Sequence, residues 1–178
     1  MRIMYLLDSM KFGGAEMLLL AMVRRYATDH QITVVYFTHG PLYEDFVKEG
    51  VKVIRISERG WKDPLLFPRL MRLMRAEKPD VVHTHLSKSD FFGLMAAWLT
   101  GVPARLSSIH NVDPWRKNAV FSAFMRIWTA TAQHHIAVSQ SVRDYTLKHT
   151  HYEQEGDDEL DKGVDLGRFL PAADTPLA

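Results

Sequence analysis

The sequence predicts a doubly wound α/β domain, in which a Rossmann-like parallel sheet carries helices on both faces. Short apolar runs of strand length alternate with helical stretches, and this alternation is typical of βαβ units. Handedness and short connections then favour a sheet whose ligands bind beyond the carboxyl ends of its strands. Six runs qualify as strands: 3–7, 32–37, 51–56, 81–84, 105–109 and 135–138.

The stretches between these strands carry helical patterns. The first, over 15–27, is almost wholly apolar at its centre, so we expect it to lie buried against the sheet. The helix over 65–75 is amphipathic, with Arg69, Arg72 and Arg75 on a face away from its leucines. Further helices are predicted near 90–99, 114–130 and 140–148.

The composition is that of a soluble globular domain. The chain has 178 residues, of which 47% are hydrophobic and 24% charged, and this excludes disordered and collagen-like proteins. The absence of cysteine excludes a disulfide-stapled fold and favours a reducing compartment. No uncharged stretch is long enough to cross a bilayer, and a charge at Asp8 comes too early for a signal peptide. We therefore expect a cytoplasmic protein.

Charge divides the chain into two regions. Residues 151–178 carry eight acidic and two basic side chains, a net charge of −6, which leaves +7 on residues 1–150. We predict a Rossmann-like domain over 1–150, followed by an acidic hinge or tail over 151–178. The basic domain suits a phosphorylated substrate or an anionic membrane, but an ordinary solvated surface would look the same. Residues 153–162 include a single apolar side chain, so we expect an exposed irregular segment there.

A glycine pair follows the first predicted strand. Gly13 and Gly14 fit neither G-x-G-x-x-G nor G-x-x-x-x-G-K-[ST], which removes the main support for a dinucleotide or ATP site. Glycines at a helix N-terminus still allow a phosphate to approach the backbone N–H groups closely. The alternative is a glycine turn required only for tight packing of the helix.

Histidines end two further predicted strands. His83 and His85 lie two residues apart, so their side chains point to one face of the sheet. We expect no metal there, because the sequence supplies no complete ligand set. His85 suits a hydrogen bond to a polar substrate, whereas His83 is more typical of a core histidine. His110, followed by Asn111, could donate to a phosphate or sugar hydroxyl, or could simply fill a loop.

Two remaining features have structural and functional interpretations. Ser139 precedes a predicted helix, where its ordinary role is an N-cap, with ligand contact as the alternative. Aromatic and basic residues over 115–128 could form a core face and a solvated face. Together with Arg69, Arg72 and Arg75, they could instead bind a membrane surface.

Taken as an ordered set, these motifs resemble the retaining family 4 glycosyltransferases. The resemblance covers nearly the whole chain, and the order of the motifs makes it more specific than any one of them. Its segments are Gly13-Gly14-Ala15-Glu16, Lys-Pro-Asp-Val-Val-His-Thr-His over 78–85, Val-Pro-Ala-Arg over 102–105, Ser-Ile-His-Asn over 108–111, Ile-Ala-Val-Ser over 136–139, and Gly-Val-Asp over 163–165 with Phe169.

The resemblance implies one half of the two-domain GT-B fold, the N-terminal, acceptor-side half. It places Gly13 and Gly14 near the donor phosphates and His110, as the catalytic residue, at the reacting sugar. We assign Glu16, His85, Asn111 and Ser139 to acceptor or substrate binding. The resemblance implies no metal and no cofactor, since the nucleotide-sugar is itself a substrate held mainly by the C-terminal domain. That domain is absent from this sequence and would act in cis or in trans.

The implied function is sugar transfer from a nucleotide-sugar to a hydroxyl acceptor, with retention of configuration. The acceptor could be lipid-linked or a cell-envelope glycan, which would bring the protein to the inner face of an anionic membrane; no nucleic-acid partner is expected. The isolated chain should be inactive. The alternatives are a scaffold half that pairs with a separate catalytic subunit, and half of a nucleotide-sugar epimerase. The family's last apolar strand is missing, and Lys162 stands where Asn is usual.

Overall fold

In a computed structural model of the chain, residues 1–111, 130–149 and 157–159 are described. Their strands form one parallel sheet in the order β3-β2-β1-β4-β5-β6-β7, which confirms the predicted fold class. The strands are β1 (Arg2–Ser9), β2 (Gln31–Thr38), β3 (Lys52–Arg55), β4 (Val81–His85), β5 (Ala104–Ile109), β6 (His134–Ala137) and β7 (Asp157–Glu159).

Helices connect the strands on both faces of the sheet. They are α1 (Gly14–Tyr26), α2 (Tyr43–Lys48), α3 (Leu66–Glu77), α4 (Ser87–Ser89), α5 (Met95–Leu99) and α6 (Gln140–His149). A π-helical turn, Asp90–Leu94, joins α4 to α5, and a 3-10 turn, Gly60–Lys62, precedes α3. The predicted helix at 114–130 and the aromatic and basic residues over 115–128 lie outside the described residues, except Ala130.

The core has two layers, one on each face of the sheet. Side chains alternate along β1, so that Tyr5 and Leu7 pack on one face with α1, while Met4 and Leu6 pack on the other with α3 and α5. The expected burial of α1 is confirmed, since its inner residues from Ala15 to Val23 form much of the first layer. The amphipathic pattern of α3 is also confirmed, because Leu66, Leu70 and Met74 are buried and its three arginines are exposed.

Two elements differ from the prediction. Helix α2 was not predicted, because Phe46 is its only fully buried residue. A single buried side chain gives no repeating hydrophobic pattern from which a helix could be predicted. The expectation of an irregular segment over 153–162 is wrong at residues 157–159, which form β7 and pair in parallel with β6. An edge strand can form through backbone hydrogen bonds on one side alone, so its apolar content is a poor guide.

The strand order determines where the site lies. Strands β2 and β3 lie on one side of β1 in the sheet. Strand β4 pairs with the other edge of β1, so the direction in which the sheet grows reverses there. At such a reversal, open α/β sheets bind ligands in a crevice between the loops at the carboxyl ends of the strands, here those of β1 and β4.

Candidate functional site

The loop between β1 and α1 forms one wall of the crevice, and the connection from β2 to α2 braces it. The backbone N–H of Met10 donates to the Thr38 carbonyl at 2.9 Å, and the N–H of Leu42 donates to the Met10 carbonyl at 3.0 Å. A Cβ added at Gly40 would lie 2.4 Å from the Met10 carbonyl oxygen, so only glycine permits this approach. Gly40 was not predicted as a site residue, because its partner lies thirty residues earlier in the sequence.

The glycine pair begins α1, and its two members have different surroundings. Gly13 has an extended backbone, and a Cβ added there would lie 2.3 Å from Glu16 Oε2. The Glu16 carboxylate, which is buried, folds back over Gly13 and accepts a hydrogen bond from the Ser9 hydroxyl at 3.1 Å. Gly14 is exposed, and a Cβ there would meet no described atom within 4 Å. A glycine at position 13 thus lets the Glu16 side chain lie against the backbone, while position 14 is open to an incoming group.

The predicted histidines meet on the face of the sheet that α1 covers. A hydrogen bond of 2.8 Å joins His83 Nε2 to the Ser108 hydroxyl, and one of 3.0 Å joins His85 Nδ1 to His110 Nε2. The ring of Tyr5 packs beside His83 and His85, at centroid distances of 5.6 and 5.9 Å. The structure thus brings together two of the predicted site residues, His85 and His110.

Burial keeps these side chains neutral. Desolvation, aided by the charge of His110, lowers the pKa of His83 to about 3. The pKa of His85 is also lowered well below its usual value, mainly by burial and then by the charges of His83 and His110. Burial raises the pKa of Tyr5 to about 12. His83 and His85 therefore carry no positive charge at neutral pH that could attract a phosphate.

The turn after β4 has a strained backbone. Leu86 has φ 79° and ψ 157°, a conformation that costs a residue with a side chain about 1–3 kcal/mol. Asp8 fixes the far side of this turn, where its Oδ1 accepts hydrogen bonds from the Ser89 N–H at 2.7 Å and the Ser89 hydroxyl at 2.6 Å. Burial raises the pKa of Asp8, and the hydrogen bonds from Ser89 oppose that rise. Sequence reasoning missed this arrangement, because no pattern marks a strained leucine.

A second buried carboxylate supports β4 and β5 from the opposite face. Asp90 Oδ1 accepts hydrogen bonds from the Thr84 hydroxyl at 2.5 Å and the Ser107 hydroxyl at 2.8 Å. Thr84 and Ser107 are paired across the two strands, so the carboxylate fixes their register close to the histidines.

The other predicted residues occupy the neighbouring loops. Ser139 caps α6, since its hydroxyl accepts a hydrogen bond from the Val142 N–H at 3.3 Å, which confirms the structural interpretation. Asn111 is exposed just beyond His110. Within the described residues, no cluster of three histidines, aspartates or glutamates could hold a metal ion.

Comparison with known proteins identifies the family. The sequence profile described as Glycosyltransferase Family 4 matches residues 12–168, which is most of the chain. The chain belongs to glycosyltransferase family 4. Its fold and its motifs correspond to the N-terminal half of the GT-B architecture of this family, as the resemblance predicted.

Two curated proteins are similar to this chain in sequence. The protein named as the glycosyltransferase EpsF of Bacillus subtilis (strain 168) is 26% identical to this chain. The match covers 96% of this chain and 47% of EpsF. The UDP-Gal:α-D-GlcNAc-diphosphoundecaprenol α-1,3-galactosyltransferase of Escherichia coli is 28% identical over 62% of this chain and 30% of its own length. The chain therefore spans about half, or less, of the length of these curated relatives.

A solved structure shares the fold. Alr3699/HepE of Anabaena, crystallised with UDP-glucose, superposes with a TM-score of 0.81 at 17% identity, over 97% of this chain and 46% of that one. At this identity the likeness shows the fold alone, and it agrees with the assignment of this family 4 chain to a GT-B half.

Proposed function

We propose that this chain is the acceptor-side half of a retaining glycosyltransferase that transfers a hexose from a UDP-sugar to a hydroxyl acceptor. Membership of family 4 supports sugar transfer. The uridine nucleotide is suggested by the UDP-galactose in the name of the Escherichia coli relative and the UDP-glucose bound in the Anabaena structure. The observation that carries the proposal for the site is Gly14, whose exposed position at the start of α1 is explained by no contact with a described residue.

The residues of the crevice suit the chemistry of this transfer. The first N–H groups of α1 carry the positive end of the helix dipole, and no described side chain caps them at Gly13. They would stabilise the negative charge that develops on the departing diphosphate. His110, at the carboxyl end of β5, would donate a hydrogen bond to the reacting sugar while the acceptor hydroxyl attacks from the same face as the leaving group. The other half of the cleft would come from a second domain, in cis or in trans.

The direct test is an assay of the two-domain enzyme against a panel of UDP-sugars and hydroxyl acceptors. We expect glycosylated product with the anomeric configuration of the donor, which NMR of the product determines. The 178-residue chain alone should bind UDP-sugars weakly and give no product, because it supplies one wall of the cleft. Turnover by the chain alone would contradict the half-enzyme interpretation. Release of an epimerised sugar without an acceptor would favour the epimerase, and inactivity of the two-domain protein would favour a scaffold.

A Gly14→Ala substitution tests the phosphate contact. An alanine methyl group at this position would stand where the diphosphate approaches, so we expect the KM for the UDP-sugar to rise by about tenfold, equivalent to about 1.4 kcal/mol. The fold should be unaffected or slightly more stable, since alanine is favoured over glycine in helices by about 1 kcal/mol. Thermal unfolding provides the control, and an unchanged donor KM would show that no phosphate approaches Gly14.

A basic and aromatic rim beside the crevice supports contact with an anionic membrane. We define this rim as Trp61, Lys62, Leu65 and Lys88. Trp61 and Leu65 are 44% and 54% exposed. The ammonium groups of Lys62 and Lys88 lie 5.6 and 5.4 Å from the Trp61 ring centre. Exposed apolar side chains among cations are typical of surfaces that insert at the lipid interface. Such contact would bring the crevice to a lipid-linked acceptor.

No helix in the described ranges is long and apolar enough to span a bilayer.

Vesicle sedimentation tests this rim. The chain should co-sediment with phosphatidylglycerol vesicles at low salt and dissociate as salt is raised, because its cations are attracted through a screened potential. Trp61→Ala and Lys88→Glu should each reduce the bound fraction severalfold. Trp98→Ala is the matched control, since Trp98 is 53% exposed but lies toward the opposite end of the sheet. Equal loss in both tryptophan variants, or no binding by the wild-type chain, would contradict a role for the rim.

A further inference from the structure

We propose that Asp8 is a positioning residue, whose carboxylate caps the helix that follows β4 and thereby holds the turn at Leu86 beside the crevice. Asp8 lies near the end of β1, 81 residues before its partner Ser89 in the sequence. The cap follows from the hydrogen bonds of Asp8 alone. Its value for catalysis rests on the proposed function, in which His110 faces the reacting sugar.

The helix after β4 has no capping side chain of its own. It runs without a break from Ser87, through the π-helical turn, to Leu99, and Leu86 occupies its N-cap position. The first N–H groups of a helix have no acceptor within the helix, so a polar N-cap side chain commonly binds the N–H of the second or third helical residue. A leucine side chain cannot accept a hydrogen bond. The acceptor must therefore come from elsewhere.

Asp8 supplies this acceptor. Lys88 and Ser89 are the second and third residues of the helix, and their N–H groups donate to Asp8 Oδ2 at 3.4 Å and to Asp8 Oδ1 at 2.7 Å. The hydroxyl of Ser89, a fully buried residue, adds a third hydrogen bond at 2.6 Å. All three groups are donors, which suits an ionised carboxylate, because it only accepts. The positive end of the helix dipole favours the same charge.

The strained backbone of Leu86 is compatible with this cap. If the alternation of β4 continued, Leu86 would point with Val82 and Thr84 to the face of the sheet on which the helix lies. Its side chain instead packs in the layer that α1 covers, because its positive φ turns it to that face. The leucine thus leaves the face on which Asp8 reaches the helix. A strained conformation persists only where its surroundings determine it, and the hydrogen bonds of Asp8 are part of those surroundings.

The capped turn lies next to the predicted site residues. Leu86 directly follows His85, which is joined to His110 by the hydrogen bond of 3.0 Å. Loss of the Asp8 carboxylate would leave buried donors of Ser89 unsatisfied and would free Leu86 to relax toward an unstrained conformation. The end of β4 would then move with the turn. We therefore expect Asp8 to affect the reaction through the position of the neighbouring side chains.

Hydrogen exchange of the 178-residue chain, followed by NMR, tests the cap without any assay of activity. The Ser89 amide should be protected, because its hydrogen bond to Asp8 must open before exchange. Asp8→Ala should lower this protection by about tenfold or more, the loss expected for a hydrogen bond to a charged group. Asp8→Asn should retain most of it, since the asparagine Oδ1 can accept the same two hydrogen bonds from Ser89.

Asp80→Ala is the matched control for this experiment. The Asp80 carboxylate accepts a hydrogen bond of 2.8 Å from the Arg2 N–H at the other end of β1, so its removal should leave the Ser89 amide unchanged. Unchanged protection of Ser89 in a folded Asp8→Ala chain would overturn the proposal. A wild-type Ser89 amide that exchanges as fast as an exposed amide would also overturn it, even if no variant folds.

Kinetics of the two-domain enzyme test the positioning role. Asp8→Ala should lower kcat by about tenfold with little change in the donor KM, because reaction rates are sensitive to small displacements of the reacting groups. Asp8→Asn should restore most of the loss, and Asp80→Ala should retain wild-type kcat. A role in stability alone would lower the urea midpoint of Asp8→Ala and leave kcat at the wild-type value, which would overturn the positioning role. A wild-type enzyme without transferase activity would overturn the proposed function and leave the exchange result standing, so the two failures are distinguishable.

Discussion

Replacing His110 with alanine should reduce kcat of the two-domain enzyme by about a hundredfold or more, with the fold intact. The expected size follows from the loss of a positioned hydrogen-bond donor where charge develops. His110 begins the loop at the carboxyl end of β5 and contacts the neighbouring strand through His85, so the loss should fall on kcat more than on binding of the donor. Steady-state kinetics over a range of UDP-sugar concentrations separates the two parameters.

A second histidine provides the control for this substitution. His134 begins β6 at the opposite end of the sheet and is exposed, so His134→Ala should retain wild-type kcat. Urea unfolding of both variants shows whether the loss of activity comes from loss of structure. If His110→Ala kept activity within a few-fold of wild type, His110 would be only a loop residue.

The sequence was sufficient to predict the sheet and the edge at which the site lies. Apolar runs and βαβ spacing identify six of the strands, and the tendency of consecutive strands to be neighbours then brings the ends of β4 and β5 together. His85 and His110 could therefore each be predicted as crevice residues. Their direct contact could not, because it depends on the register of β4 against β5 and on side-chain rotamers, neither of which a single sequence specifies.

Features produced by backbone contacts between distant segments could not be predicted. Gly40 is required by a carbonyl thirty residues earlier, and the strain at Leu86 comes from elements on both sides of it. The edge strand at 157–159 escaped prediction for a related reason, since its pairing with β6 uses backbone groups. Composition and periodicity describe side chains, so they are insensitive to all three.

A Gly40→Ala substitution should have the largest effect on the glycine loop. Its methyl group would lie 2.4 Å from the Met10 carbonyl oxygen and 2.7 Å from the Lys11 nitrogen, both of which are backbone atoms. The loop and the β2–α2 connection would have to separate, which would weaken the hydrogen bond from Leu42 to Met10. We expect the free energy of unfolding to fall by about 1–3 kcal/mol, the usual cost of overpacking. Urea denaturation of the 178-residue chain measures this change.

Gly14→Ala is the matched control, because the same methyl group at that position meets no described atom. Both variants should weaken binding of the UDP-sugar in the two-domain enzyme, but for different reasons. Gly14→Ala blocks the approach of the diphosphate to an intact loop, whereas Gly40→Ala displaces the loop that presents α1. Only Gly40→Ala should therefore lower the urea midpoint. A Gly40→Ala chain with the midpoint and donor affinity of wild type would show that the connection yields at no cost, and that the glycine loop does not depend on it for its position.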